Sequence, residues 1–401
     1  MRMKQKKDVY IAGAGKFGKT VLQMLETYAN AQWNVSGILD NDKSKQGTTQ
    51  AGYPVLAIEP EADNHRGHDS YVFIAVGNWN MKMEFAGQLV KYGYKHIYIL
   101  KNAVYSEKAI FFQEDKINPQ YAIEVKTAAD GGMAPVFRYL EIHVMDGCNL
   151  KCKGCSHFSN LFPTDAAVPL ERFGRDIMRL KEICAIDKLR LLGGEPLLNK
   201  ELLQYLKAAW DCFPYSDIRV VTNGLLIMKQ SEEVLSYMRE HGIMFDISWY
   251  PPTMDRREEI LDFLADKQVP YRVSQEEIQG FSRCLTLEAH HNPIVSQQNC
   301  GSGQCTILRE GKLYKCPVAA YMPEYKRAFD VGIEEESGVD IYQSSISEIR
   351  EFALHCQSRP VDMCRYCTEQ PQNFTWGSRP EPEMEDWIVY NTKTTDDERI
   401  M

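Results

Sequence analysis

Between residues 8 and 100 short apolar runs alternate with longer stretches of helical spacing. DVYIAGAG (Asp8–Gly15) reads as a strand ending in glycines, and KFGKTVLQMLETYA (Lys16–Ala29) has the spacing of an amphipathic helix. NVSGILD (Asn34–Asp40) is a second strand, YVFIAVGN (Tyr71–Asn78) a third, and KHIYIL (Lys95–Leu100) closes the set. Such alternation predicts a parallel sheet with helices on its faces, placed here in a domain of residues 1–105. Residues 106–137 are mixed, and DGGMAP (Asp130–Pro135) marks them as a linker.

From Tyr139 the alternation resumes. Strands are expected at YLEIHVM (Tyr139–Met145), KLRLLGG (Lys188–Gly194), IRVVTN (Ile218–Asn223) and FDISWY (Phe245–Tyr250), with YRVSQ (Tyr271–Gln275) as a fifth. Helical patterns separate them at Glu171–Cys184, Lys200–Phe213, Ser231–His241 and Arg256–Lys267. A run of βα units of this length predicts a partial barrel over residues 138–280. From about Phe281 the helical pattern fades and cysteines thicken, which sets off a small Cys-rich domain at 281–375. Within it TILREGKLYKC (Thr306–Cys316) reads as a hairpin turning at Glu310–Gly311. The acidic, polar tail at 376–401 is expected to pack loosely or wrap the surface. The fold class is therefore α/β.

Composition narrows the function. The chain has 401 residues, enough for two or three domains. Its 46 basic and 55 acidic residues leave a net charge of −9, which argues against binding nucleic acid through phosphate neutralisation. No apolar run approaches the roughly 18 residues of a membrane span, and MRMKQKKDVYIAGAG has no cleavage-site signature, so a cytoplasmic location is expected. Twelve cysteines in a reducing compartment are then read as thiols or metal ligands and not as disulfides.

Three of them crowd the segment DGCNLKCKGCSHF (Asp146–Phe158), directly after an apolar strand. A structural zinc site wants four ligands, commonly as two CxxC-like pairs, but the spacing here is CxxxCxxC with no local fourth. Three thiolates suit an iron–sulfur cluster with one iron left open, on the strand-end face where βα folds place their chemistry.

CNLKCKGC (Cys148–Cys155) resembles the cluster motif of the radical S-adenosylmethionine (radical SAM) superfamily. LLGGEPLL (Leu191–Leu198) resembles its GGE motif, and VVTNG (Val220–Gly224) ends the following strand in a manner also common there. The resemblance implies that Cys148, Cys152 and Cys155 hold a catalytic [4Fe–4S] cluster whose open iron takes S-adenosylmethionine. Gly193, Gly194, Glu195, Pro196 and Asn223 would bind that cofactor, with the Glu195 carboxylate on its ammonium group. A 5′-deoxyadenosyl radical would then remove hydrogen from substrate, with electrons from a donor such as flavodoxin or ferredoxin. The sequence departs from the superfamily at Gly154, where an aromatic residue often packs near the adenine; His157 or Phe158 is expected to supply that contact.

Cys300 and Cys316 flank the hairpin and Cys364–Cys367 forms a CxxC, so two separated pairs supply four thiolates; spacing alone allows zinc or a second cluster. The arrangement resembles the SPASM and shorter twitch extensions of radical SAM proteins, which implies an auxiliary [4Fe–4S] cluster on Cys300, Cys316, Cys364 and Cys367. Cys305 and Cys356 are alternates, and a set of Cys300, Cys305 and Cys316 would leave an iron open. Cys284 is a ligand or a free thiol. Cys184 and Cys212 are read as core, and His290–His291 as a solvated loop.

GAGKFG carries Gly13, Gly15 and Gly18 in a GxGxxG that follows a strand and opens a helix, and Asp40 closes the second strand about twenty residues on. The unit is thus Rossmann-like. Through IAGAGKFGKTVLQML, GILDNDKSKQG and YPV it also resembles the nucleotide-sugar-binding N-terminal domains of sugar acyltransferases. Those resemblances imply a nucleotide or nucleotide-sugar ligand there, and a sugar or nucleotide-sugar as the substrate to be dehydrogenated, epimerised or dehydrated. Trp249, Tyr250 and Arg283 are chosen by position as substrate contacts. Peptide maturation and a non-catalytic zinc or iron–sulfur scaffold are the competing readings.

Overall fold

The computed structural model describes residues 6–59, 69–273, 277–303 and 305–389. The chain forms two compact units, one made of residues 1–138 with 183–187 and 345–354, the other of residues 139–182, 188–344 and 355–401.

The first unit begins with β1 (Lys7–Ala12), α1 (Lys16–Tyr28), β2 (Trp33–Leu39), β3 (Thr49–Gln50) and β4 (Tyr53–Leu56). It continues through β5 (Tyr71–Ile74), α2 (Trp79–Lys91), β6 (His96–Leu100) and α3 (Asn102–Ser106). The strand order is β3-β4-β2-β1-β5-β6-β9, where β9 is Ala122–Val125. β1 pairs in parallel with β2 and β5, and β5 with β6, as the alternation predicts. Both faces are apolar because both are covered. Val21, Leu22 and Leu25 of α1 pack with Phe73 on one side, and Phe85 and Leu89 of α2 with Ile97 on the other.

The stretch expected as a linker, 106–137, is structured. It carries a hairpin of β7 (Phe112–Gln113) and β8 (Lys116–Ile117), then β9, which pairs antiparallel with β6. Its composition misleads because β9 has only four residues, and its burial depends on a partner more than 20 positions away.

Lys82 on α2 is buried, and its Nζ donates to Leu100 O (2.7 Å) and Asn102 Oδ1 (2.8 Å). Burial pushes its ammonium down to about 8. The folded value lies below the unfolded one, so between them the unfolded chain binds the extra proton and stability rises with pH, by about 1.4 kcal/mol per unit. Melting of Lys82→Met and wild type from about pH 8 to about pH 10 is expected to shift in the wild type's favour; parallel pH slopes would overturn this.

The second unit is built on β10 (Val136–Met145), α4 (Leu170–Ile183), β11 (Ala185–Gly193), α5 (Leu202–Cys212) and β12 (Asp217–Thr222). There follow α6 (Glu232–His241), β13 (Met244–Ile247), α7 (Pro251–Met254), α8 (Arg257–Lys267) and β14 (Tyr271–Val273). The expected end of the fifth strand, at 274–275, lies outside the described residues. Beyond come β15 (Gly280–Leu285), α9 (Pro293–Gln298), β16 (Ile307–Arg309), β17 (Lys312–Tyr314) and α10 (Pro317–Phe329). Last are β18 (Val339–Asp340) and β19 (Cys367–Thr375), while α11 (Ile346–His355) between them belongs to the first unit but for its last residue.

One sheet runs β14-β13-β12-β11-β10-β16-β17-β18. Five strands alternate with helices, and the sixth parallel member is β16, beside β10 through Glu141↔Ile307 and Ile142↔Leu308. It arrives from the hairpin and joins the edge opposite the one where βα alternation would have added it. The hairpin itself turns at Glu310 (φ 51°) and Gly311 (φ 74°), two left-handed residues as a type I′ turn requires. No helix among the described residues is long and apolar enough to cross a membrane.

Candidate active site

β10 delivers the chain at Met145 into the three-cysteine loop. Lys151 (φ 50°), Gly154 (φ 65°) and Phe158 (φ 50°) are left-handed, which winds the loop tightly. Cys148 and Cys152 are buried, Cys155 is half-buried, and all three line one cavity of about 750 Å³. Burial pushes the Cys148 thiol up to about 12 and raises Cys152 and Cys155 as well. Three soft thiols lining one cavity are a donor set suited to iron. Two N–H groups already point at them, Leu150 N at Cys148 Sγ (3.4 Å) and Trp376 Nε1 at Cys152 Sγ (3.2 Å).

Trp376 belongs to a segment that composition reads as a loose tail. Lys153 N donates to Gly377 O (2.9 Å), Arg379 N to Lys151 O (2.9 Å), and Trp387 Nε1 to Cys155 O (2.9 Å). Residues 376–387 therefore clamp the loop. Trp376→Phe keeps the packing against Tyr250 (6.0 Å between rings) but removes a hydrogen bond to sulfur. It is expected to lower the midpoint potential of a cluster held there by an amount on the order of tens of millivolts, read by a redox titration followed by electron paramagnetic resonance. An unmoved potential would refute that role for the indole.

The GGE segment sits at the end of β11. Gly194 N donates to Met145 O (2.8 Å) and Glu195 N to Gly147 O (2.9 Å), binding the two strand ends together. A Cβ on Gly193 would lie 1.6 Å from Met145 O, and one on Gly194 2.2 Å from Gly147 O. Both glycines line the cavity, yet the close approach they permit is to the base of the cysteine loop. Glu195, expected on an ammonium group, is fully buried and accepts from Thr222 Oγ1 (2.6 Å), Asn223 N (2.8 Å) and Leu197 N (3.0 Å). Burial pushes its carboxyl up to about 7 against those donors. Here it ties the β11 and β12 ends together. Pro196 is buried at the head of the 196–198 turn, away from the cavity. Asn223 lines the cavity and donates from Nδ2 to Asn149 Oδ1 (2.8 Å).

Phe158, expected near an adenine, is instead core, packed between Tyr325 and Trp387. Its left-handed backbone turns the ring away from the cavity wall, which His157 does line. His157 Nδ1 hydrogen-bonds His143 Nε2 (2.8 Å), and His143 Nδ1 meets Asp146 Oδ1 (2.7 Å). An aromatic residue at 154 would be strained here, because the backbone is left-handed (φ 65°) and a Cβ would meet Asp386 O at 3.0 Å. Of the residues chosen by position, Tyr250 lines the cavity, whereas Trp249 is fully buried outside it. Arg283 lies over the Phe374 ring (4.7 Å) and also falls outside the cavity wall.

The second cysteine group gathers five thiols. Burial raises Cys316, with Cys300, Cys364 and Cys284 adding to it. Cys284 on β15 and Cys367 on β19 hydrogen-bond each other, and Cys284, left open by sequence, thus joins the set. Cys305 lines the same cavity, with Glu141, Arg190 and Cys300 as neighbours, and Cys356 accepts from Thr306 Oγ1 (3.3 Å). Among the described residues no three His, Cys, Asp or Glu side chains converge on a single ion. In a four-iron cluster each thiolate takes its own iron.

In the first unit Gly13 has φ 118° and a Cβ there would strike Val76 Cγ1 at 2.6 Å; one on Gly18 would strike Gly13 O at 2.0 Å. Gly15 has nothing within 4 Å of that position and leaves the backbone open. Asp40, expected to complete the fingerprint, has both oxygens engaged, by Ala14 N (2.7 Å) and Asp42 N (2.8 Å). It shapes the glycine loop from beneath.

The Radical SAM superfamily profile matches residues 142–269, and the PglD N-terminal domain profile matches residues 8–89. GTP 3′,8-cyclase from Peptoclostridium acidaminophilum is 34% identical over 105 residues, 24% of this chain and 30% of that protein, so the chain spans less than a third of that relative's length. Among solved structures, BtrN in complex with AdoMet and 2-DOIA is 17% identical, covering 61% of this chain and 100% of that one, with a TM-score of 0.35. UDP-D-quinovosamine 4-dehydrogenase from Vibrio fischeri is 18% identical, covering 32% and 98%, with a TM-score of 0.22. The chain therefore carries a radical SAM domain over residues 142–269, preceded by a PglD-type N-terminal domain over residues 8–89.

Proposed function

We propose that this radical SAM protein removes hydrogen from a sugar or nucleotide-sugar, with oxidation of a carbinol as the favoured outcome. An auxiliary [4Fe–4S] cluster on Cys300, Cys316, Cys364 and Cys367 is part of the reading, as is an external electron donor of the flavodoxin or ferredoxin type. One observation carries it: Cys148, Cys152 and Cys155 line the same cavity as Cys284, Cys300, Cys305, Cys316 and Cys367. When bound, the two clusters and S-adenosylmethionine supply hydrogen-atom abstraction and a one-electron acceptor, together enough to oxidise an alcohol. The protein's part is to hold substrate between the two thiol groups. Ser248, Ser282, Asn299, Ser302 and Asn373 put hydroxyl and amide groups on the wall for a hydroxylated ligand, and Tyr250 and Phe281 give it an apolar side.

Anaerobic reconstitution of the full chain tests this. About eight iron atoms per chain are expected, four in each cluster, with 5′-deoxyadenosine formed on reduction in the presence of S-adenosylmethionine. Deuterium should pass from a ring carbon of the true substrate into that product. Zinc in place of iron would end the proposal, and about four iron atoms would remove the auxiliary cluster from it.

The N-terminal ligand rests on the PglD profile and on α1, a 13-residue helix that opens at Gly15 with no side-chain cap on its N–H groups. Gly15→Ala is expected to leave the melting temperature unchanged and to weaken UDP-sugar binding about tenfold, whereas Gly18→Ala destabilises the unit by about 3 kcal/mol or more. Unweakened binding in Gly15→Ala would take the ligand away from this loop.

A further inference from the structure

The cavity has a charged floor that no motif announces. Glu141 on β10 and Arg190 on β11 both line it, and Glu141 is only 3% exposed. Tyr139 donates its hydroxyl to Glu141 Oε1 and accepts from Arg190 Nη1. Arg190 Nη1 also lies 3.5 Å from Glu141 Oε1. Arg190 Nη2 donates to Asp246 Oδ2 (3.1 Å), an oxygen that also takes Arg219 Nη1 at 3.3 Å. These contacts fix both side chains while leaving one atom of each over. Among the described residues Glu141 Oε2 and Arg190 Nε are buried without a hydrogen-bond partner.

Two orphaned atoms of opposite character, an acceptor and an N–H donor, on neighbouring strands of one cavity ask for a group that is donor and acceptor at once. A hydroxyl fits, giving its proton to Oε2 and accepting from Nε. An ammonium would pair with the carboxylate but meet the guanidinium, and a carboxylate or phosphate would meet the reverse. We propose that Glu141 and Arg190 read a neutral ring hydroxyl of the substrate and discriminate against an amine or an acid at that carbon, with Tyr139 as the positioning residue. The proposal rests on the reading of the substrate as a sugar or nucleotide-sugar and names the residues that choose among such compounds.

Calorimetry on the reconstituted full chain with S-adenosylmethionine bound tests it. The probes are UDP-glucose with its amino analogues, one ring position at a time, and scyllo-inositol with scyllo-inosamine. The wild type is expected to bind a neutral member and to lose about tenfold or more when one particular hydroxyl becomes an amine. Glu141→Gln should lose a similar factor for the neutral member, and Arg190→Gln should reverse the preference toward the amine. Tyr139→Phe, which changes no charge, should weaken binding without reversing it, and it decides the matter if either charge variant fails to fold. Wild-type affinity and selectivity in the variants would overturn the floor's role while leaving the sugar reading intact. Binding of none of the probes by the wild type would overturn both.

Discussion

Replacing Cys155 by alanine is expected to bring 5′-deoxyadenosine formation down to background and to cut iron from about eight to about four atoms per chain. The expectation follows from what surrounds the sulfur. Cys148 and Cys152 share its cavity, but His157, the histidine of the loop that lines it too, is already hydrogen-bonded to His143 (2.8 Å). The change itself is small, from a half-buried thiol to a methyl, so the melting temperature of the iron-free protein should hold. Iron assay and chromatography of the quenched reaction read the result. Undiminished product with normal iron would show that the three-cysteine loop is not the seat of the chemistry. Cys356→Ala serves as the contrast, because that thiol stands outside both gathered groups and its loss should leave iron unchanged.

Gly193→Ala is expected to be the most damaging single methyl in the second unit. The added carbon would stand 1.6 Å from Met145 O, a backbone atom with no flexible end to move aside. At φ 155° the glycine also lies in a region that other residues avoid. The two strand ends would have to part, which breaks the Gly194 N to Met145 O bond and shifts the base of the cysteine loop. A loss of about 4 kcal/mol or more in stability is expected, together with failure to incorporate the first cluster. A soluble variant with unchanged melting and full iron content would contradict this account of the motif.

Much of the architecture could be read from the chain because it is local. The strand-then-cysteine loop, the GGE turn and the Glu310–Gly311 hairpin each lie within about twenty residues, and each has the backbone its sequence calls for. What escaped was set by distant partners. β16 is three residues long, and nothing in Ile307–Arg309 tells that it will lie parallel to β10. Trp376 and Trp387 look like stray aromatics in a polar tail until their indoles reach Cys152 and Cys155. Asp40 matches its fingerprint by position, yet its oxygens serve the loop's own N–H groups, which spacing cannot reveal. Glu141 did leave a signal: a carboxylate in the middle of YLEIHVM, a run otherwise suited to a strand buried on both faces.

The parallel register of β16 against β10 has a consequence for how the molecule can be taken apart. A chain cut near residue 280 would keep every βα unit and the whole cysteine loop. It would nonetheless strip the neighbour from β10 and leave a long apolar strand with a bare row of amide and carbonyl groups, a ready template for pairing between copies. The shortened protein is thus expected to pair with copies of itself, and the hairpin that looks like an appendage is what covers this edge of the sheet.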